Sequence, residues 1–165
     1  MSIEHASVRA LHKPWGVRDL QPWSGIDATG DAVGELWFER ADSNAPTPAL
    51  LLKLLFTSAP LSIQVHPDDT FARAMGMPNG KSEAWYIISA EPGAQIGVGL
   101  SRRITPQELH AAITKGSIVD LVQWRPVAKG DVVFIPAGTI HALGAGIVLA
   151  EIQQRSDTTF RLFDY

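Results

Sequence analysis

Three features of this 165-residue chain predict an all-β fold, a sandwich or barrel of jelly-roll type with a small helical insert. Its 14 glycines and 11 prolines are spread as punctuation along the chain. Between them lie many apolar runs of strand length, and helical patterning is confined to two places. Short strands separated by turn residues, without alternating long helices, close into a two-layer β architecture.

In chain order, strands are predicted at GELWFER (34–40), PALLLKLLF (48–56), LSIQVHP (61–67), EAWYIISA (83–90) and AQIGVGL (94–100). DVVFIPA (131–137), GIVLAEIQQ (146–154) and TTFRLFDY (158–165) complete the set, and ADSNAPT (41–47) reads as a surface loop. DDTFARAM (68–75) opens on carboxylates and stops before Gly76, as a short helix does. The second helical stretch is better marked. Thr105 suits an N-cap, Pro106 the first helical position, Glu108 a capping box and Gly116 the end, with SIVDLV (117–122) adding another turn. The helical segment therefore spans about 105–122.

The length fits one domain able to bury a core unaided. A net charge of −3 with scattered lysines and arginines argues against a nucleic-acid partner. No apolar run approaches the ~18–20 residues that cross a bilayer, and no membrane partner is expected. The stretch MSIEHASVRALHKPW lacks the apolar centre of a signal peptide. With no cysteine there is no disulfide framework, which fits a cytoplasmic location. Any metal site must then use His, carboxylate and amide ligands.

Four residues meet that requirement. On a strand, Ser62, Gln64 and His66 project from one face, while Ile63 and Val65 project from the other. Glu83 opens a predicted strand, and His141 follows a turn built on Pro136 and Gly138. Each alone admits a plainer role: a lone strand histidine is ordinarily a satisfied, partly buried residue, and a strand-start carboxylate is ordinarily solvated. Together, two imidazoles and one carboxylate suit zinc with an open position and leave the ion near +1. The same N and O donors also accept manganese, iron, cobalt or nickel. Lys53, inside LLLKLLF, is poorly explained as a surface residue.

GDVVFIPAGTIHAL resembles the second sequence motif of the cupins, in Gly130, Asp131, Pro136, Gly138 and His141, with Gly144 where the motif ends on Asn. The first cupin motif offers two histidines and then a Glu. Here Gln64 takes the first histidine position, ahead of His66 and Glu83. KPWG (13–16), GELW (34–37), LSIQVHPDD (61–69), GKSEAWYII (80–88), GDVVFIPAGTIHALGAG (130–146) and AEIQQRSDTTFRLFDY (150–165) together resemble type I mannose-6-phosphate isomerase, also called phosphomannose isomerase, in its compact bacterial form.

The resemblance implies a cupin jelly roll and a zinc-dependent aldose–ketose isomerase. Such an enzyme interconverts mannose 6-phosphate and fructose 6-phosphate through an enediol. It implies one Zn2+ per chain on Gln64, His66, Glu83 and His141. It implies catalytic roles for Arg161, in the SDTTFR segment, and for Lys81, and substrate contacts for Ser62 and Lys53; Arg155 is expected to be an ordinary surface charge. A small-molecule sugar phosphate is the expected partner, and a homodimer is allowed for. Residues 1–165 are expected to form a single zinc-binding cupin domain, without the second β domain of the family. Two other readings stand beside it: a metal-binding sugar-phosphate module without turnover, and another cupin metalloenzyme.

Overall fold

A computed structural model describes residues 3–27 and 30–165 of the chain. Its strands are β1 (Ala6–Val17), β2 (Val33–Arg40), β3 (Leu50–Thr57), β4 (Ile63–Val65), β5 (Glu83–Ala90), β6 (Gln95–Leu100), β7 (Val122–Pro126), β8 (Val132–Ile135), β9 (His141–Leu143), β10 (Ile147–Gln154) and β11 (Phe160–Phe163). Helix α1 (Asp69–Ala74) follows β4, and α2 (Pro106–Lys115) and α3 (Ile118–Leu121) lie between β6 and β7. Every pairing is antiparallel. One sheet runs β1-β2-β3-β10-β5-β8 and the other β11-β4-β9-β6-β7.

This is the all-β jelly roll with a helical insert that the sequence predicts. Leu55, Trp85, Ile87, Ile135 and Leu149 of the six-stranded sheet meet Ile96 and Leu143 of the five-stranded sheet in the core between the layers. α2 and α3 pack through Ala112 and Ile118 against Ile63, Val122 and Ala142, on the outer side of the five-stranded sheet. Leu20, with Trp23 and Ile26, packs against Leu36 and Phe56 of the six-stranded sheet.

The local signals hold where side chains close backbone hydrogen bonds. Thr105 accepts from the Glu108 amide, and Glu108 accepts from the Thr105 amide, which completes the capping box. Gly116 ends α2 at φ +74°, a left-handed conformation that favours glycine. Asp68 caps α1 by accepting from the Phe71 amide.

Three strands escape the sequence pattern. β1 is 12 residues long, yet its alternation is blurred because half of its residues are exposed and only one is buried. β7 follows α3 with no turn residue between them, and β9 is only three residues long. The turn around Gly130 and Asp131 is not a hairpin. It carries the chain from β7 in one sheet to β8 in the other, with Asp131 accepting from the Ala128 amide at 2.8 Å. Among the described residues no helix is long and apolar enough to cross a membrane.

Candidate metal centre

Between the two sheets lies a cavity of about 890 Å³, lined among others by Ser62, Gln64, Lys81, Glu83, Lys53 and Arg161. It falls within the ~300–1,000 Å³ usual for small-molecule sites. His66 and His141 sit behind Glu83, each 1% exposed. The candidate residues therefore converge on one place, from five strands and the turns next to them.

The architecture explains the convergence. Gln64 on β4 pairs directly with His141 on β9, and on its other side with Arg161 on β11. One cross-strand row thus places an amide, an imidazole and a guanidinium side by side. Glu83 enters from the facing sheet as the first residue of β5. The Pro136–Thr139 turn, closed by Thr139 N–H donating to the Pro136 carbonyl at 3.1 Å, sets up His141. Gly138 in that turn has φ +85°, and its amide donates to the His66 carbonyl at 2.8 Å.

His66, Glu83 and His141 bring one donor atom each to within 4.8 Å of one another. His66 Nε2 lies 3.5 Å from Glu83 Oε2, and His141 Nε2 lies 3.3 Å from Glu83 Oε1. On the far side of each ring, Nδ1–H donates to a backbone carbonyl, Thr158 at 3.0 Å for His66 and Thr139 at 2.8 Å for His141. A carbonyl can only accept, so these bonds place the ring proton on Nδ1 and leave the Nε2 lone pairs directed at Glu83.

Burial draws His66 below its usual pKa, against the pull of the adjacent Glu83 carboxylate, which favours its charge. Burial alone would raise Glu83. Its close contacts with His141 and His66, together with the Lys81 charge, outweigh that and hold it well below the usual carboxylate range. Neutral imidazole nitrogens thus face an ionised carboxylate, and His66 Nε2 and Glu83 Oε2 are buried without a hydrogen-bond partner. A divalent cation resolves that conflict, and the N, N, O donor set is one that zinc accepts. The residues fit the ion.

Gln64 Nε2 lies 3.3 Å from His141 Nε2, and Ser62 donates to Gln64 Oε1 at 3.3 Å. A half-turn of the amide exchanges its oxygen and nitrogen, so a fourth, neutral oxygen ligand is within reach. Lys81 Nζ lies 3.5 Å from Glu83 Oε2. Arg161, the one exposed residue of the edge strand β11, has no carboxylate within ion-pair distance among the described residues, so its charge is free for an anion. Arg155 instead pairs with Glu39 and donates to the Pro48 carbonyl, a role in holding the chain.

The sequence reading missed a second polar group in the same cavity. Lys53 is not a bare cation: its Nζ lies 3.2 Å from Glu151 and 3.5 Å from Glu35, and 4.6 Å above the Trp37 ring. Trp85 Nε1 donates to Glu151 at 3.1 Å, and its ring packs edge-on against His141. Burial, reinforced by the Glu83 charge, pushes Glu151 above the usual carboxylate range, with Lys53 and Lys81 opposing. One signal could have found it. In IVLAEIQQ, Glu151 shares the parity of Ile147 and Leu149, the buried face of the strand.

A jelly roll whose facing sheets enclose a buried His–Glu–His cluster defines a cupin-type protein with a candidate metal centre. No protein-family model matches the chain. Over 94% of its length it is 33% identical to mannose-6-phosphate isomerase of Streptococcus mutans, covering 58% of that protein. It superposes on the crystal structure of mannose 6-phosphate isomerase from Bacillus subtilis with a TM-score of 0.88 at 30% identity, covering 98% of this chain and 61% of the other. A mannose 6-phosphate isomerase crystal structure described as zinc-bound matches with a TM-score of 0.68 at 15% identity, over 96% of this chain and 70% of that one. By sequence and fold the chain is a relative of the mannose-6-phosphate isomerases, and it spans little more than half the length of the curated relative from S. mutans.

Proposed function

We propose that this chain is a metal-dependent aldose–ketose isomerase interconverting mannose 6-phosphate and fructose 6-phosphate through an enediol, with one zinc ion per chain. The observation that carries the reading is the buried His66–Glu83–His141 cluster, placed behind a cavity that a hexose phosphate fits. The relatives named as mannose-6-phosphate isomerases and the zinc-bound neighbour support the substrate and the metal.

His66, Glu83 and His141 would hold zinc, with Gln64 adding its amide oxygen; when bound, the ion polarises the sugar oxygens at C1 and C2 as a Lewis acid. Arg161 supplies a guanidinium fork for the charge that develops on those oxygens or for the phosphate. Lys81, buried and beside Glu83, would hold or move the proton exchanged between C1 and C2. Ser62 orients Gln64 and offers a hydroxyl to the sugar. Lys53 shares its charge with Glu35 and Glu151, so it orients substrate rather than neutralising a phosphate dianion alone. The phosphate, remote from the reacting carbons, lends binding energy that positions them.

Coupled turnover of mannose 6-phosphate by the purified chain, with chelator and then with zinc restored, tests the reading. Activity lost to chelator and regained with zinc is expected. A folded, zinc-loaded chain that binds the sugar phosphate without turning it over would instead support a binding module. That second reading draws on one observation, the 42% of the S. mutans relative left uncovered by the match.

A further inference from the structure

Three of the four sheet faces are covered. The two inner faces make the core and the cavity, and α2 and α3 cover the outer face of the five-stranded sheet. The outer face of the six-stranded sheet is covered only at its β2–β3 end, where Leu20, Trp23 and Ile26 sit over Leu36 and Phe56.

The remainder is open and apolar. Cross-strand register aligns Phe38, Leu52, Ile152, Ala84 and Phe134 in one row. Leu54, Ala150, Tyr86 and Val132 form the next row. Neither row contains a charged side chain. Leu50 is 51% exposed, Leu52 46%, Tyr86 48%, Val132 73%, Phe134 64% and Ile152 45%.

We propose that this face is a homodimer contact, with the six-stranded sheets of two copies of the chain stacked face to face about a two-fold axis. At roughly 100 Å² of exposed surface each, six such side chains present about 600 Å² per copy, most of the ~800 Å² a side of a standard specific interface. That lies at the top of the ~300–600 Å² that the largest patch on an ordinary monomer reaches. A chain of net charge −3 would repel its own copy through a charged surface, but these two rows bring no charge to the contact. Two identically twisted sheets stack at about −30° with their side chains interdigitated, and a two-fold axis makes one such patch complementary to itself. The cavity opens between the two sheets, on the other side of the same strands, so pairing leaves it accessible.

Sedimentation equilibrium over roughly 1–100 μM protein tests the contact, since dissociation constants in that range suit a contact of this size. The wild type is expected to form a dimer, and Phe134→Lys to weaken it by at least roughly 30-fold, as loss of a central aromatic anchor does. Unchanged near-UV circular dichroism and unchanged zinc stoichiometry of the variant would show that the fold and the cavity are intact. Should Phe134→Lys not fold, Ile152→Lys, in the same row, makes the same test. A wild type that stays monomeric at every concentration, or a dimer that both variants leave unchanged, overturns the proposal. So does a monomer that binds a hydrophobic dye in the wild type but not in Phe134→Lys, because the face is then open to a different occupant.

Discussion

The two faces of the six-stranded sheet are built from the same strands and invert the usual rule. Its inner face carries a register row of Arg9, Trp37, Lys53, Glu151 and Trp85, with Glu83 two residues earlier in β5. Its outer face carries two rows without charge, several of whose members are exposed. Ordinarily charge faces water and apolar side chains face the core. Burying Lys53, Glu83 and Glu151 costs desolvation that only pairing or a bound cation offsets, and an open apolar sheet face costs hydration. The inner anomaly is local and chemically specific, which marks a site for a ligand. The outer one is broad and featureless, which marks a surface for another protein.

The sharpest way to break this contrast is at the metal ligands. His141→Ala should abolish tight zinc binding and lower turnover by on the order of 10³-fold, the loss of several kcal/mol of charge stabilisation. Metal analysis together with the coupled assay checks both effects. Arg161→Ala should keep the metal and the fold while turnover falls on the order of 10²-fold; near-normal turnover would remove Arg161 from the chemistry.

Lys53→Met should destabilise by ~3–5 kcal/mol, because it leaves the buried Glu151 without its cation and Glu35 with Lys13 alone. Chemical denaturation would measure it, and adding Glu151→Leu should recover part of the loss. The metal-free protein should lose thermal stability as pH falls from about 7 towards 4. His66 has a lowered pKa in the folded state, so its contribution is present above ~6.5 and lost as protons bind the unfolded chain first. Glu83, also lowered, adds to the loss below ~4.3. A midpoint flat across that window would contradict neutral His66 facing ionised Glu83. Ile152→Thr on the outer face should change the stability of dilute protein by less than about 1 kcal/mol in denaturation, since Ile152 is exposed on the side of β10 opposite the cavity.

Much of this was legible in the sequence, and the gaps have physical causes. The alternation Ser62, Gln64, His66 places the polar face before any coordinates, because strand parity is fixed by backbone geometry. Helix α2 is readable for the same local reason: Thr105, Pro106, Glu108 and Gly116 each close or omit a particular backbone hydrogen bond. β1 is not readable, because an exposed, proline-containing edge strand has no apolar face to alternate. Nor is the partnership of Lys53 with Glu35 and Glu151. These residues are distant in the chain and meet only through the register of β2, β3 and β10. The apolar runs predicted the outer strands but not that one of their faces would lie open, since only the packed fold shows which surface the segment after β1 covers.

The account rests on zinc being held by the inner-face cluster, and a competition titration against a chromophoric chelator tests this directly. It predicts one ion bound tightly per wild-type chain and none in a folded His66→Ala variant. A folded wild type that takes up no ion, or a His66→Ala variant that binds as tightly as the wild type, would contradict it.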